Sequence, residues 1–261
     1  MIKKIAFCFC SLLLLGSCSS QPKNGLKVIA TPVPHAQMLE FVKPELKEKG
    51  IDLVIIVTDD YNTPNRALAD FDVDANFFQH LPFMNEQIKQ FHYSIESLAG
   101  IELEPLGIYS KKITSLADLK DNATIAIPND PTNEARALLL LEAHGLLELD
   151  NPHNLQATVL NITSNPKHLK FIEVDAAMLP RSLEDVDAAA INTNYALQAG
   201  LSPTKDALAL EGKDSPYVNI IAIRIGDENR PGIQALKAAM TSEKMKQFIL
   251  ETFKGAVLPA F

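Results

Sequence analysis

The chain has 261 residues, of which 47% are hydrophobic and 21% charged, with three Cys and a formal net charge of −8. This composition supplies ample apolar side chains for packed cores and excludes disorder, collagen-like repeats and a small disulfide-framed domain. No run of Lys or Arg follows Lys4, so the chain lacks the basic surface that a phosphate backbone requires. We therefore expect no nucleic-acid partner.

The N-terminus has the pattern of an export signal. Lys3 and Lys4 precede an apolar run over residues 5–15, which is too short to span a bilayer because spanning takes about 20 residues. The run ends in Leu-Gly-Ser-Cys at residues 15–18, which resembles the bacterial lipobox. That resemblance implies a signal peptide over residues 1–17 and lipidation of Cys18. The alternative is an ordinary secretory signal with an incidental Cys.

The segment after the signal is polar, and we interpret residues 18–25 as the lipidated Cys and a flexible tether. Cleavage before Cys18 removes Cys8 and Cys10, which leaves no second Cys for an internal disulfide. No later apolar run reaches the roughly 18 residues of a membrane span. We expect a protein on the membrane, held by its lipid anchor and facing the periplasm or the cell exterior.

Strands and helices alternate from residue 26 onward. The residue patterns predict strands over 26–31, 53–57 and 72–76, and helices over 36–49, 65–70 and 81–91. The strand over 53–57 is apolar throughout, which is typical of a buried parallel strand. The alternation predicts an α/β fold in which helices cover a parallel sheet.

The alternation then restarts. After a strand over 102–109 and a short helix over 115–119, we predict strands over 123–127, 171–174 and 188–191 and helices over 132–144, 179–183 and 195–199. A strand over 217–225 and one long helix over 232–253 close the chain. Two α/β units predict two lobes: lobe 1 from residues 26–109 plus 219–261, and lobe 2 from residues 110–218.

Sequence motifs of catalysis are absent. The six His show no zinc-ligand spacing, and there is no G-x-S-x-G, P-loop or G-x-G-x-x-G sequence. We expect no enzymatic activity, no catalytic residues, no metal and no cofactor. A binding protein is favoured.

The segment over residues 74–83 combines Phe77, Phe78, His80 and Phe83 at the predicted start of a helix. In an open α/β sheet, ligand sites gather outside the carboxyl ends of strands. Taken alone, however, such Phe residues are more often core, and an isolated His is more often structural.

A second candidate segment covers residues 128–136. Arg136 lies one turn into a predicted helix, where it could bind a carboxylate through two hydrogen bonds. The alternative is an ion pair with Glu134 or Asp130. Asn192 and Asn219 lie at the end of one predicted strand and within another, where turn chemistry or strand polarity would equally account for them.

Together, these segments resemble one family. The sequences Asp-Asp-Tyr at 59–61, Asp-Ala-Asn-Phe-Phe-Gln-His at 74–80, Pro-Asn-Asp-Pro-Thr-Asn at 128–133, Ile-Asn-Thr-Asn-Tyr at 191–195 and Pro-Tyr-Val-Asn at 216–219 are similar to those of the methionine-binding lipoproteins of methionine ABC importers, the NlpA/MetQ family. The resemblance covers nearly the whole chain after the tether. It implies a periplasmic-binding-protein-like fold, with two α/β lobes and a ligand cleft between them.

The same resemblance implies a set of ligand-binding residues. An aromatic box of Tyr61, Phe78, His80 and Phe83 would surround the thioether, Arg136 would hold the carboxylate, and Asn192 and Asn219 would fix the amino-acid backbone. A flexible, polarizable sulfur suits such a box, because each good sulfur–ring contact contributes about 0.3–1.5 kcal/mol.

The implied function is capture of methionine, with L-methionine favoured, and its delivery to an ABC permease and its ATPase. Other cargoes stay open: D-methionine, a methionine-containing dipeptide or another small amino acid. An exported enzyme on the same scaffold or an adhesin is a more distant alternative. The sequence does not distinguish the inner from the outer membrane as the site of anchoring.

Overall fold

A computed structural model describes residues 25–261. The predicted signal peptide and all but the last residue of the tether lie outside this range. The strands are β1 (Leu26–Ala30), β2 (Leu53–Val57), β3 (Ala75–His80), β4 (Ile95–Leu103), β5 (Gly107–Tyr109), β6 (Thr124–Pro128), β7 (Glu148–Leu149), β8 (Ile162–Ser164), β9 (Lys170–Val174), β10 (Ala188–Ile191), β11 (Ala209–Leu210), β12 (Val218–Arg224) and β13 (Leu258–Pro259). The helices are α1 (Gln37–Glu48), α2 (Thr63–Ala69), α3 (Leu81–Phe91), α4 (Pro131–Ala143), α5 (Leu179–Ser182), α6 (Thr193–Gln198), α7 (Pro203–Asp206), α8 (Pro231–Met240) and α9 (Glu243–Phe253).

The strands form two large sheets. The first has the order β13-β4-β12-β3-β1-β2, and the second has the order β11-β5-β10-β6-β9. β1 pairs in parallel with β2 and β3, as the alternating pattern predicts, whereas β12 runs antiparallel to β3 and β4. Within residues 25–261, no strand of one large sheet pairs with a strand of the other.

Each sheet has its own apolar core. Val28, Phe77 and Ile221 of the first sheet pack with apolar side chains of α1, α8 and α9. Ile125 and Leu138 belong to the core of the second sheet. The chain leaves the first sheet after β4 and returns to it at β12, so the segment between them builds the second lobe. The predicted lobe boundaries at residues 109/110 and 218/219 stay predictions, while β5, at residues 107–109, pairs within the second sheet.

The long helix predicted over residues 232–253 is wrong, because the chain forms two helices there. α8 ends at Met240, and the Ser242 side chain accepts the Met245 N–H and so caps α9. The hydroxyls of Thr241 and Ser242 donate to the carbonyls of Lys237 and Ala239 in the last turns of α8. Such side-chain hydrogen bonds favour a helix end over a helix interior.

Two strand predictions also need correction. β2 is parallel but lies at the edge of its sheet, and Val57 is 55% exposed, so its apolar run does not mark a strand buried on both faces. The strand predicted over 72–76 instead runs over Ala75–His80, between β1 and β12. The predicted strand over 102–109 is divided into β4 and β5, because Pro105 between them has no N–H for a ladder.

The other predicted helices and strands are confirmed with small shifts at their ends, except that the short helix predicted over 115–119 is a 3₁₀ turn at Leu116–Asp118. The short strands β7, β8, β11 and β13 are not predicted by the sequence. Across residues 25–261, no helix combines the length and the hydrophobicity that a membrane span requires.

Candidate functional site

One cavity lies between the two sheets. The end of β3 and the start of α3 form one wall, and the first turns of α4 and α6 form the opposite wall. The space inside it that a water-sized sphere can reach is about 20 Å³, so its walls lie close together in this form. Its lining side chains are Tyr61, Phe78, Gln79, His80, Phe83, Glu104, Asn133, Arg136, Asn192, Thr193, Asn194 and Asn219.

The first-sheet wall is aromatic. The rings of Tyr61, Phe78 and Phe83 lie within 5.8–5.9 Å of one another, centroid to centroid, and His80 lies edge-on to Phe83 at 6.1 Å. Phe78 and Phe83 are almost fully buried. This wall offers ring edges and faces to an apolar, polarizable group.

A buried polar network fixes the strand behind these rings. Gln79 Nε2 donates to Asn65 Oδ1 at 2.6 Å and to Asn76 Oδ1 at 3.0 Å, while Asn65 Nδ2 donates back to Gln79 Oε1 and Asn76 Nδ2 donates to Asn65 Oδ1. All three side chains are at most 3% exposed. Because buried amides must be hydrogen-bonded, this closed network holds β3 against α2 and keeps Phe78 and His80 in register.

His80 links the two walls in its neutral form. Its Nδ1 caps α3 by accepting the Phe83 N–H at 3.1 Å, so the proton must be on Nε2, which lies 3.2 Å from Asn133 Oδ1 on α4. Burial, assisted by the charge of Arg136, lowers the pKa of His80 to about 3. The imidazole is therefore a neutral donor at physiological pH.

Arg136 is buried, at 3% exposure, and two of its three guanidinium nitrogens are hydrogen-bonded within the protein. Nε lies 3.0 and 3.1 Å from the two carboxylate oxygens of Glu211, and Nη2 bonds to Glu211 and to the Glu104 carbonyl. The Tyr217 ring covers the guanidinium at 4.5 Å. Nη1 has no hydrogen-bond partner within residues 25–261, so it is the nitrogen left for a ligand.

The ion pair of Arg136 is therefore not with Glu134 or Asp130, the partners that the sequence suggested. Glu134 accepts the Val159 N–H, and Asp130 caps α4 by accepting the Asn133 N–H.

The second-lobe wall carries amides with unused hydrogen-bonding atoms. Asn192 Nδ2 donates to Asn133 Oδ1, and Asn194 Oδ1 accepts the Tyr61 hydroxyl at 2.7 Å. Asn192 Oδ1 and Asn194 Nδ2 are buried and have no partner within the described residues. An unpaired acceptor and an unpaired donor in one buried cavity are costly unless a ligand satisfies both.

A cluster of His35, Glu102 and Glu104 lies beside the amide of Asn219. His35 Nε2 is 3.2 Å from one oxygen of each carboxylate, and Asn219 Nδ2 donates to the same two oxygens at 2.8 and 3.0 Å. One nitrogen of His35 and one oxygen of each carboxyl group lie within 4.8 Å of one another. Asn219 and the imidazole contact one oxygen of each carboxyl group, whereas Glu102 Oε2 is buried and has no hydrogen-bond partner within residues 25–261.

The two lobes touch across the cavity through side chains. Tyr61 donates to Asn194, His80 to Asn133, and the Tyr195 hydroxyl to the Asp59 carbonyl at 2.9 Å. Burial raises the pKa of Tyr61 well above its usual range, so its hydroxyl keeps its proton. The structure is thus in a form in which both lobes contact each other around the cavity.

The seven ligand-binding residues predicted from the family resemblance all line this one cavity: Tyr61, Phe78, His80, Phe83, Arg136, Asn192 and Asn219. Their ligand contacts stay a prediction. Sequence reasoning missed Glu104, Asn133 and Asn194 as lining residues, and Glu211 as the partner of Arg136. Asn133 and Asn194 lie inside the motifs that carry the resemblance, whereas nothing local distinguishes Glu104 or Glu211 from other acidic residues.

Comparison with known proteins gives consistent matches. The family model described as NlpA lipoprotein matches residues 26–261. The methionine-binding lipoprotein MetQ of Bacillus subtilis (strain 168) is 43% identical over 242 residues, which cover 91% of this chain and 88% of that protein.

Two solved structures are similar over 90% of this chain and 100% of their own. One is an ABC transporter periplasmic substrate-binding protein from Coxiella burnetii, with a TM-score of 0.86 and 49% identity. The other is a nutrient binding protein from Burkholderia cenocepacia bound to methionine, with a TM-score of 0.87 and 46% identity. The predicted fold class, a periplasmic-binding-protein-like pair of α/β lobes with a cleft between them, is confirmed.

Proposed function

Since the chain belongs to the NlpA lipoprotein family, we propose that it is the lipid-anchored substrate-binding protein of an ABC importer. It captures methionine outside the cytoplasm and delivers it to a membrane permease that an ATPase drives. Similarity to a methionine-binding lipoprotein and to a methionine-bound structure supports this cargo.

The observation that carries the proposal is the division of one cavity into three chemical faces. Tyr61, Phe78 and Phe83 form the aromatic face that would surround a thioether. Arg136 Nη1 and Asn194 Nδ2 are donors for a carboxylate, while the unpaired Asn192 Oδ1 is an acceptor for an ammonium group. A zwitterionic amino acid with a neutral, flexible side chain satisfies all three faces, whereas a charged side chain would be left without a partner.

Capture needs no covalent chemistry. The cargo contacts side chains of both lobes, so the closed form makes more contacts with it than an open form could, and binding stabilises closure. The closed protein then docks on the permease. The neutral His80, held by Phe83 and Asn133, is a structural donor in this cavity.

Calorimetric titration tests the cargo directly. The full chain is purified from membranes in detergent, stripped of carried-over ligand by reversible unfolding, and titrated with L-methionine, D-methionine, L-leucine and glycyl-methionine. We expect L-methionine to bind at least about tenfold more tightly than L-leucine, because leucine lacks the sulfur–ring contacts. If neither methionine enantiomer nor the dipeptide binds, the proposed cargo is refuted.

Anchoring is tested separately. Cys18→Ala removes the proposed lipid acceptor, and we expect the variant to leave the membrane fraction while keeping its affinity for methionine. Fractionation of cells that express either form measures this. A variant that stays in the membrane fraction would support an uncleaved signal in place of a lipid anchor.

A further inference from the structure

A buried pair of carboxylic acids backs the cavity at the point where the amino-acid backbone of a cargo would lie. Glu104 is 5% exposed and lines the cavity, and Glu102 is fully buried behind it. Glu104 Oε1 accepts from Asn219 at 3.0 Å, and the carboxyl groups of Glu104 and Glu102 share a hydrogen bond. Glu104 is the carboxyl group of this pair that lines the cavity.

Glu104 is the acidic side chain among the residues that line the cavity. The other acceptors there, such as Asn192 Oδ1, are neutral. A primary ammonium group buried among neutral acceptors alone would lose its hydration without a compensating charge, which is strongly unfavourable. An amino acid that binds as a zwitterion therefore requires Glu104 in its charged form.

In the empty cavity, Glu102 and Glu104 cannot both be charged. One oxygen of each carboxyl group lies within 3.0 Å of the same atom, Asn219 Nδ2, and 3.2 Å from His35 Nε2, so the two groups are crowded together away from water. Two crowded carboxylates retain a proton between them. Consistently, burial raises the pKa of Glu102 to about 7, and burial together with the charge of Glu102 raises that of Glu104 to about 8.

We propose that Glu104 accepts the ammonium group of the captured amino acid and that capture expels the proton shared by Glu102 and Glu104. The proton passes to solvent, and the positive charge of the ammonium group replaces it beside the pair. This inference rests on the proposed function, because it requires an amino-acid cargo.

The other titratable groups around Glu104 do not take part in this proton release. His35 is buried, which lowers its pKa, and its Nδ1 is hydrogen-bonded to Thr31 Oγ1 at 2.6 Å. His80 is neutral, Tyr61 keeps its proton, and the charge of Arg136 is balanced by Glu211. Glu102 and Glu104 are therefore the groups near the cargo that titrate close to neutral pH.

Proton release is measured on the unaltered protein by calorimetry at pH 7 in phosphate and in Tris, two buffers with different ionisation enthalpies. The ligands are L-methionine and 4-(methylthio)butanoate, which keeps the carboxylate and thioether but lacks the amino group. We expect methionine to release roughly 0.5–1 proton per molecule bound and the des-amino compound to release none. Equal methionine heats in both buffers would overturn the inference and leave the proposed function intact, whereas absence of methionine binding would refute both.

Glu104→Gln keeps the size and hydrogen-bonding capacity of the side chain but removes its charge. We expect its affinity for methionine to fall at least about tenfold and its affinity for the des-amino compound to stay within about twofold. Glu184→Gln, which alters an exposed acid, is the matched control. An equal loss of affinity for both ligands would show that Glu104 has only a structural role. If Glu104→Gln does not fold, the buffer comparison on the unaltered protein decides.

Discussion

The Arg136 guanidinium and the Glu211 carboxylate lie side by side, with Nε of Arg136 3.0 and 3.1 Å from the two oxygens of Glu211. Glu211 Oε2 also accepts the Leu106 N–H, and Leu106 lies on the segment by which the chain passes from the first sheet to the second. The protein therefore orients one side of the guanidinium itself, while Nη1 has no hydrogen-bond partner among residues 25–261.

Replacing Glu211 tests this orientation. Glu211→Gln leaves the buried charge of Arg136 without an anion, so we expect the free energy of unfolding of the ligand-free protein to fall by about 1–3 kcal/mol. A saturating concentration of methionine supplies a carboxylate to Arg136. Methionine should therefore stabilise the variant more than it stabilises the unaltered protein. Urea unfolding with and without methionine measures both, and Glu184→Gln is the exposed control. A loss that is unchanged by methionine contradicts contact between Arg136 and the cargo carboxylate.

Removing Arg136 should weaken methionine binding more than it alters the fold. We expect Arg136→Ala to cost about 2–5 kcal/mol of binding, because the cargo carboxylate loses its charged partner. Arg136→Met combined with Glu211→Gln removes both charges, which separates loss of binding from the strain of an unpaired Glu211. Arg66→Ala, on an exposed helix face, is the control. Unchanged affinity in the double variant would refute the assignment.

The Tyr61 hydroxyl contributes one contact between the lobes. Tyr61→Phe removes the hydrogen bond to Asn194 at 2.7 Å while keeping the ring in the aromatic face. We expect methionine affinity to fall by about 0.5–1.5 kcal/mol, the usual net contribution of such a bond. Titration calorimetry measures the change, with Tyr93→Phe as a control outside the cavity. A larger loss for the control would contradict the prediction.

The two buried carboxyl groups make stability depend on pH. In the folded protein Glu102 and Glu104 retain protons up to pH about 7 and about 8, whereas in the unfolded chain they lose them near their ordinary value of 4.5. The folded state thus binds more protons at these two groups, and the free energy of unfolding should fall as pH rises from 6.5 to 8, above the range in which the histidines titrate. His35 and His80, with lowered pKa values, act in the opposite direction below pH 6.5.

Urea unfolding at several pH values checks this dependence. We expect the variant that combines Glu102→Gln with Glu104→Gln to show a flatter profile between pH 6.5 and 8, since neither side chain can titrate. Its profile below pH 6.5 should keep the histidine contribution, by which stability rises with pH. A variant profile parallel to that of the unaltered protein would contradict the prediction.

The amide network behind the aromatic face should matter for stability. Asn65→Ala removes the donor to Gln79 Oε1 and the oxygen that accepts from both Asn76 Nδ2 and Gln79 Nε2, so we expect the free energy of unfolding to fall by about 2–4 kcal/mol. Asn85→Ala, at an exposed position, should change stability by less than about 0.5 kcal/mol. Urea unfolding of both variants makes the comparison, and equal effects would contradict the network.

The sequence predicted most of the regular structure, because hydrophobic periodicity is local. It failed where the outcome depends on neighbours: the apolar residues of β2 lie at a sheet edge, and β3 continues to His80 because β1 and β12 pair with it on both sides. The break between α8 and α9 depends on the hydroxyls of Thr241 and Ser242, which the apolar pattern concealed.

The residues that line the cavity were predictable where they belong to the sequence motifs of the family. Tyr61, Phe78 and Arg136 came from segments with a family resemblance, and periodicity alone would have assigned the Phe residues to the core. Glu104 and Glu211 could not be found in this way, because an acidic residue gains its role from what the folded chain brings beside it. Glu211 is 75 positions from Arg136 in sequence.

The absence of strand pairing between the two large sheets, among the residues that the structure describes, has a consequence for hydrogen exchange. The lobes can part by releasing side-chain contacts such as Tyr61–Asn194 and Tyr195–Asp59, without breaking any ladder bond. Amides in β3 and β10 should then stay protected from deuterium at the rate set by global unfolding, even while the cavity fills with water. Access to the cavity is therefore uncoupled from the stability of either sheet.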